Sequence, residues 1–286
     1  MPAKQILPSG RSLDRIVAAC LIVLVSLVCI AYLRVFLDIA AAGLDRIDIA
    51  FLTQEPRMSG RAGGVLPMIV STLVVLAVAV AVALPISLAC ALFVTEYLPP
   101  GSRWSNVFRA SMLILACVPS IAFGFFGSVF FAEILGLRTS LLTGGLTLAT
   151  MIIPICAFAL EEAFRLLPSG YRYGAYALGA SRARFIFLVL IPVSAPQIVT
   201  VVLLGMGRAL AETAALLFTS GYSDRMPTSL LDPGRVLSVH IYDLGMNIPG
   251  GNAMASASAL LLLGMFLTIS ALGLMFSRHL SFAVRT

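Results

Sequence analysis

Six stretches of this chain contain no Asp, Glu, Lys or Arg: 16–33, 62–95, 110–132, 139–160, 185–207 and 244–277. A helix rises about 1.5 Å per residue and a bilayer's hydrocarbon core is about 30 Å thick, so about 20 predominantly apolar residues are enough to cross it. Six runs of that kind in 286 residues predict an all-α polytopic membrane protein with about six transmembrane helices. Composition agrees, since only 11% of the residues are charged, against about 25% in soluble domains. The sixth run overstates its helix, because Asn247, Pro249, Gly250, Gly251 and Asn252 mark a loop before the small residues from Ala253 onward. The fifth resumes after Arg208 and Glu212 and continues to about Thr219.

Lys4, Arg11 and Arg15 precede the first run, as they would precede a signal peptide. That run exceeds the about 7–15 apolar residues of a signal core, and five more runs follow, which favours a retained anchor. With the N-terminus inside, the inner segments hold eleven basic and four acidic residues, and the outer segments seven and eight. This bias places both termini in the cytoplasm. The overall basicity then needs no nucleic-acid partner.

Cys20, Cys29, Cys90, Cys117 and Cys156 all fall within the apolar runs without metal-ligand spacing and read as packing residues. Pro119 and Ser120 interrupt the third run and Pro154 the fourth. Proline frees a backbone carbonyl that lipid cannot satisfy, so these positions face either a water-filled cavity or neighbouring helices that repair a kink. Ala253, Ala255, Ser256, Ala257, Ser258 and Ala259 permit close helix contact.

The inner connection from Glu161 to Arg184 has a pattern of its own. Its spacing predicts a short helix from near Ser169 to near Gly179. Tyr173, Tyr176, Ala177 and Ala180 would share one face. Such a face fits a partner's groove, and equally an interfacial helix lying on lipid headgroups.

Arg208 and Glu212 are the chemical signal within the runs. If Pro192 and Pro196 mark the cytoplasmic start of the fifth span, Arg208 lies about 18 Å deep, near the midplane. An ionised group there costs about 2.5–3.5 kcal/mol on insertion scales, so both side chains need protein, water or each other. Two readings remain open at this point. The pair is a neutral clasp within the bundle, or Arg208 lies on the route of an anion, gripped by its planar fork of donors while Glu212 holds it. The fork suits phosphate, and suits sulfate, molybdate or a carboxylate as well.

The single lysine, Lys4, lies in the N-terminal tail, so the chain has no G-x-x-x-x-G-K-[ST] phosphate loop. Any ATP hydrolysis falls to another polypeptide. His240 and His279 form no His-x-x-x-His metal site, and no nucleophile, base and acid constellation is evident.

Several stretches together resemble the permease subunits of bacterial phosphate ABC importers, more closely the PstA-type than the PstC-type. These are Gly63-Gly64-Val65-Leu66-Pro67 with Ser71-Thr72-Leu73, Val118-Pro119-Ser120-Ile121 with Phe123-Gly124, and Leu142 to Thr147 with Glu161-Glu162-Ala163. Residues 173–192 resemble the coupling motif E-A-A-x3-G-x9-I-x-L-P of ABC importer permeases. Gly179 stands on its glycine, Val189 and Ile191 on the apolar positions and Pro192 on its proline, whereas Tyr173 and Gly174 depart from the first two letters. Arg208 to Ala214 is similar to the R-A-x-G-E-T-A segment of phosphate permeases, with Ala211 for a glycine and Ala215 for a usual proline following it. His240-Ile241-Tyr242 and Pro249-Gly250 resemble the family's outer loop.

The resemblance implies a type I ABC importer permease fold, with residues 1–60 as tail, first helix and outer loop, and 61–286 as the permease core with its coupling loop at about 166–184. It implies Arg208, Glu212, Thr213 and Ser120 along the substrate pathway. Tyr173, Gly174, Ala175, Leu178, Gly179, Ala180 and Ser181 would dock the ATPase. The implied partners are a related second permease, two ATP-binding cassette subunits carrying ATP and Mg2+, an external phosphate-binding protein, inorganic phosphate and membrane lipid, with no cofactor in this chain. The implied location is the bacterial cytoplasmic membrane. Another oxyanion importer, or a non-transporting membrane scaffold, stands as the alternative.

Overall fold

The computed structural model describes residues 10–99 and 101–283, so Lys4 and Arg285 of the inner charge count lie outside the described residues. Helix α1 (Gly10–Gly43) exposes its side chains from Asp14 to Asp38. It meets the rest of the protein at its end, where a Cβ on Gly43 would lie 2.7 Å from the Ala257 nitrogen. The small-residue run from Ala253 therefore serves close packing. A short α2 (Ile49–Thr53) follows, its first turn closed by the Phe51 N–H donating to the Asp48 carboxylate at 2.6 Å. A two-residue antiparallel hairpin, β1 (Pro56–Arg57) and β2 (Ala62–Gly63), completes the connection from α1 to the next long helix.

Helix α3 (Leu66–Leu92) has Pro67 in its first turn, where a missing N–H costs nothing, and ends in a π-helical turn at Phe93–Tyr97. Helix α4 (Arg103–Ala116) is capped by Ser102, and α5 (Ser120–Gly127) leaves it at 91° before running into a second π-helical segment, Ser128–Ile134. Ser140 caps α6 (Leu141–Arg165) by accepting from the Thr143 N–H at 3.2 Å.

The core is the contact of α3 with α6, built from Val75, Ala79, Leu148, Ile152 and Leu160. Lipid is as apolar as leucine, so close fit holds these helices together more than water exclusion does. A Cβ on Gly145 would lie 2.5 Å from Val78 Cγ1, and Gly is what lets the axes approach. Pro154 is buried in this contact, and the Ser87 hydroxyl of α3 donates to the adjacent Ile153 carbonyl at 3.2 Å. Of the two readings for Pro154, packing against a neighbouring helix is the one observed.

Then come α7 (Ser169–Ala177), α8 (Arg182–Phe185), a third π-helical turn at Ile186–Leu190, α9 (Ile191–Val193) and α10 (Ala195–Leu210). The chain turns by 68° between Val193 and Ala195. After α11 (Ala214–Thr219) a loop leads to α12 (Leu237–Met246) and the long α13 (Asn252–Ala283). A smaller cluster of Phe51, Val65, Met68, Leu237, Leu244 and Met254 binds α12 and the start of α13 to α2 and the start of α3. By length and composition, four described helices can cross a membrane, or up to six if each bent pair forms one span. All six apolar runs are thus helical, but the third and fifth are bent, and the fifth breaks again at 211–213 instead of continuing smoothly to Thr219. Of the cysteines, Cys156 is buried against Gly205, while Cys20, Cys29 and Cys117 are exposed on this single chain.

Candidate functional site

Arg208 occupies the last turn of α10, and Glu212 lies in the break before α11. Their four-residue spacing survives that break, with Arg208 Nη1 donating to Glu212 Oε2 at 2.8 Å. The two side chains sit in different surroundings. Glu212 is 4% exposed, and its other oxygen accepts from the Ala215 N–H at 3.3 Å. Its backbone carbonyl accepts from the Ser238 hydroxyl at 2.7 Å. Arg208 is 41% exposed and lines a groove of about 590 Å³ between α10, α12 and α13. Leu203, Leu204, Gly207, Ile241, Leu262 and Phe266 share that lining, in which Arg208 is the sole charged residue. A carboxylate buried behind it thus holds a half-exposed guanidinium beside an otherwise apolar groove. That arrangement can grip an oxyanion by charge-assisted donors without releasing the arginine from its anchor.

Thr213 and Ser120 do not line this groove. Both are half-buried, Thr213 just before the first turn of α11 and Ser120 as the first residue of α5. Those two helices pack on each other so closely that a Cβ on Gly124 would lie 2.7 Å from Ala215 Cα. Ser120 and Thr213 therefore stand at the starts of two closely packed helices.

The predicted inner helix forms as α7 and stops where Gly179 adopts φ +76°, a left-handed conformation that side chains with a Cβ resist. Ser181 then caps α8 through the Arg184 N–H at 3.3 Å. Tyr173 is 70% and Leu178 89% exposed, and Gly174 and Ala177 lie on the same open side. Ala175 and Ala180 turn inward, linked by the Ala180 N–H to the Ala175 carbonyl at 3.0 Å, and the Tyr176 ring leans on Phe185 with centroids 5.7 Å apart. Ala180 thus leaves the face that helical spacing assigned to it, because the chain turns at Gly179.

Several residues that the sequence offered only as charges prove to be structural contacts. Glu96, 2% exposed in the π-helical turn that ends α3, pairs with Arg172 of α7. The Arg172 guanidinium also lies 5.6 Å from the centroid of the buried Phe185 ring. Beside it, the Arg182 guanidinium stands 5.0 Å over the Tyr97 ring. Glu161, 2% exposed, accepts from Arg165 Nε at 2.8 Å and lies 3.7 Å from Arg109 Nε, joining α4 to α6. At the other end of α3, Thr72 Oγ1 accepts from the Leu237 N–H at 2.9 Å.

His240 in α12 is fully buried with both ring nitrogens unpartnered. Burial first, and then the Arg235 charge, push its pKa down to about 4, so it is neutral at pH 7. Arg235 itself is held by Asp243 at 3.3 Å and by the Tyr222 carbonyl at 3.2 Å.

Residues 83–286 match the family model described as "Binding-protein-dependent transport system inner membrane component". The phosphate transport system permease protein PstC of Haemophilus influenzae is 31% identical over 233 residues, covering 72% of this chain and 71% of its own. The probable phosphate transport system permease protein PstA of Methanocaldococcus jannaschii is 33% identical over 210 residues, covering 72% and 73%. Among solved structures, a bacterial alginate ABC transporter in complex with its pentasaccharide-bound periplasmic protein superposes with a TM-score of 0.70 at 14% identity, covering 96% of this chain and 98% of that one. The chain therefore belongs to the family of binding-protein-dependent transport system inner membrane components, as a multi-pass membrane subunit of a transport complex.

Proposed function

We propose that this chain is the permease subunit of an ATP-driven inorganic phosphate importer, forming half of the translocation pathway with a related second permease. The observation that carries the proposal is the buried Glu212 carboxylate presenting the Arg208 guanidinium to an otherwise apolar groove. The two relatives named above as phosphate transport permeases support phosphate as the cargo. ATP and Mg2+ belong to two cytoplasmic ATPase subunits, docked on the open side of α7 through Tyr173, Gly174 and Leu178. An external binding protein delivers the anion, and both termini face the cytoplasm.

Proteoliposomes carrying the complete complex test this reading. They should accumulate labelled phosphate only with ATP inside the ATPase compartment. Arg208→Gln should reduce uptake by ten- to a hundredfold, the effect of about 1.5–3 kcal/mol for a lost hydrogen bond to a charged group, while the complex still co-purifies. Normal uptake by that variant would remove Arg208 from the pathway. A guanidinium fork also fits other oxyanions. Uptake abolished by excess sulfate or molybdate, and not by phosphate, would reassign the cargo.

A further inference from the structure

We propose that the Arg172 and Glu96 pair is the mechanical linkage that carries movement of the inner helix α7 into the membrane and on to Arg208, a role that rests on the transport reading above. Glu96 is the buried member, and Arg172 is the cation it meets. A carboxylate so enclosed cannot be left unpaired cheaply, so α7 and the inner end of α3 move together or not at all. The Arg172 contact with Phe185 and the Arg182 contact with Tyr97 lie on either side of this joint and restrict its slippage.

From Glu96, α3 runs back about 36 Å, at 1.5 Å per residue, to Thr72. There the Thr72 hydroxyl oxygen holds the Leu237 N–H at 2.9 Å, and the next residue, Ser238, donates to the Glu212 carbonyl at 2.7 Å. One helix thus joins the surface on which a partner would pull to the residue that anchors Arg208. Arg172 and Glu96 are positioning residues in this scheme. Neither touches the groove.

The test uses the complete transporter in proteoliposomes, with ATP hydrolysis and phosphate accumulation measured separately. Glu96→Gln, which keeps the shape of the side chain, and Arg172→Gln should each leave the ATPase subunits bound and hydrolysing. Phosphate moved per ATP should fall about tenfold, a common size for coupling between sites. The double exchange Glu96→Arg with Arg172→Glu should recover most of that ratio. A normal ratio in Glu96→Gln, or an exchanged pair that assembles yet stays as uncoupled as the single variants, would overturn the linkage. A wild-type complex that moves no phosphate defeats the transport reading instead. The linkage would then be read from hydrolysis stimulated by the binding protein, lost in each single variant and regained in the exchange.

Discussion

Glu212 holds Arg208 with one carboxylate oxygen, at 2.8 Å, and accepts from the Ala215 N–H with the other, at 3.3 Å. One buried acid therefore orients the Arg208 guanidinium and closes the first turn of α11. The two duties separate by mutation. Glu212→Gln retains an acceptor for the Ala215 N–H, whereas Glu212→Ala loses it. The alanine variant should be less stable than the glutamine variant by about 1 kcal/mol, the usual value of a helix cap. Thermal unfolding of the detergent-solubilised complex measures the difference, and equal melting temperatures would deny the capping role.

Gly124 faces the backbone of Ala215, which cannot swing aside as a side chain could. Gly124→Val should force α5 from α11 at a cost of about 1–3 kcal/mol, typical of overpacking. A lowered melting temperature together with reduced uptake is expected. An unchanged melting curve would show that the contact is looser than 2.7 Å implies.

Gly179 has open space around it but a left-handed backbone. A β-branched residue would fit the space and resist the conformation. Gly179→Val should strain the end of α7 by about 1–3 kcal/mol and weaken retention of the ATPase on membranes, while the permease itself remains folded. ATPase co-purified per permease is the measurement, and full retention would count against docking at this loop.

His240 is neutral in the fold with a pKa near 4, below the 6.5 of an exposed imidazole. Between those values the unfolded chain binds the extra proton and the folded chain does not. Stability is therefore fully present above about pH 6.5 and declines as pH falls, by up to about 3 kcal/mol at pH 4. His240→Leu has no ring hydrogen bond to forfeit and should flatten that decline. Melting temperatures of the complex between pH 4 and pH 8 would show it, and parallel curves for the two proteins would refute it.

How much of this was readable beforehand follows from the range of each interaction. The apolar runs, the Gly179 stop and the Arg208 and Glu212 spacing are local, and the sequence displays them directly. The 91° turn at Cys117 to Pro119 is invisible to a count of charges, which measures length and not direction. The face expected for α7 included Ala180 because helical spacing was carried past the residue that ends the helix. Glu96 and Arg172 are 76 positions apart and Thr72 and Leu237 165, so nothing in either neighbourhood announces the other. Glu96 did stand at the inner end of the second apolar run, and an acid at such a boundary is a cue to search for its cation. Ser120 and Thr213 came from likeness to a motif, and neither is among the residues that line the groove beside Arg208.

The π-helical turns at Phe93–Tyr97 and Ile186–Leu190 lie at the two joints that flank α7. A turn of that kind accommodates one residue more than the regular winding, with poorer bonding geometry, and is more easily rewound than the stretch beside it. Flexure should accordingly concentrate at these turns and at Ser128–Ile134, and the Arg172 and Glu96 pair is what keeps movement of α7 from being absorbed at the first of them.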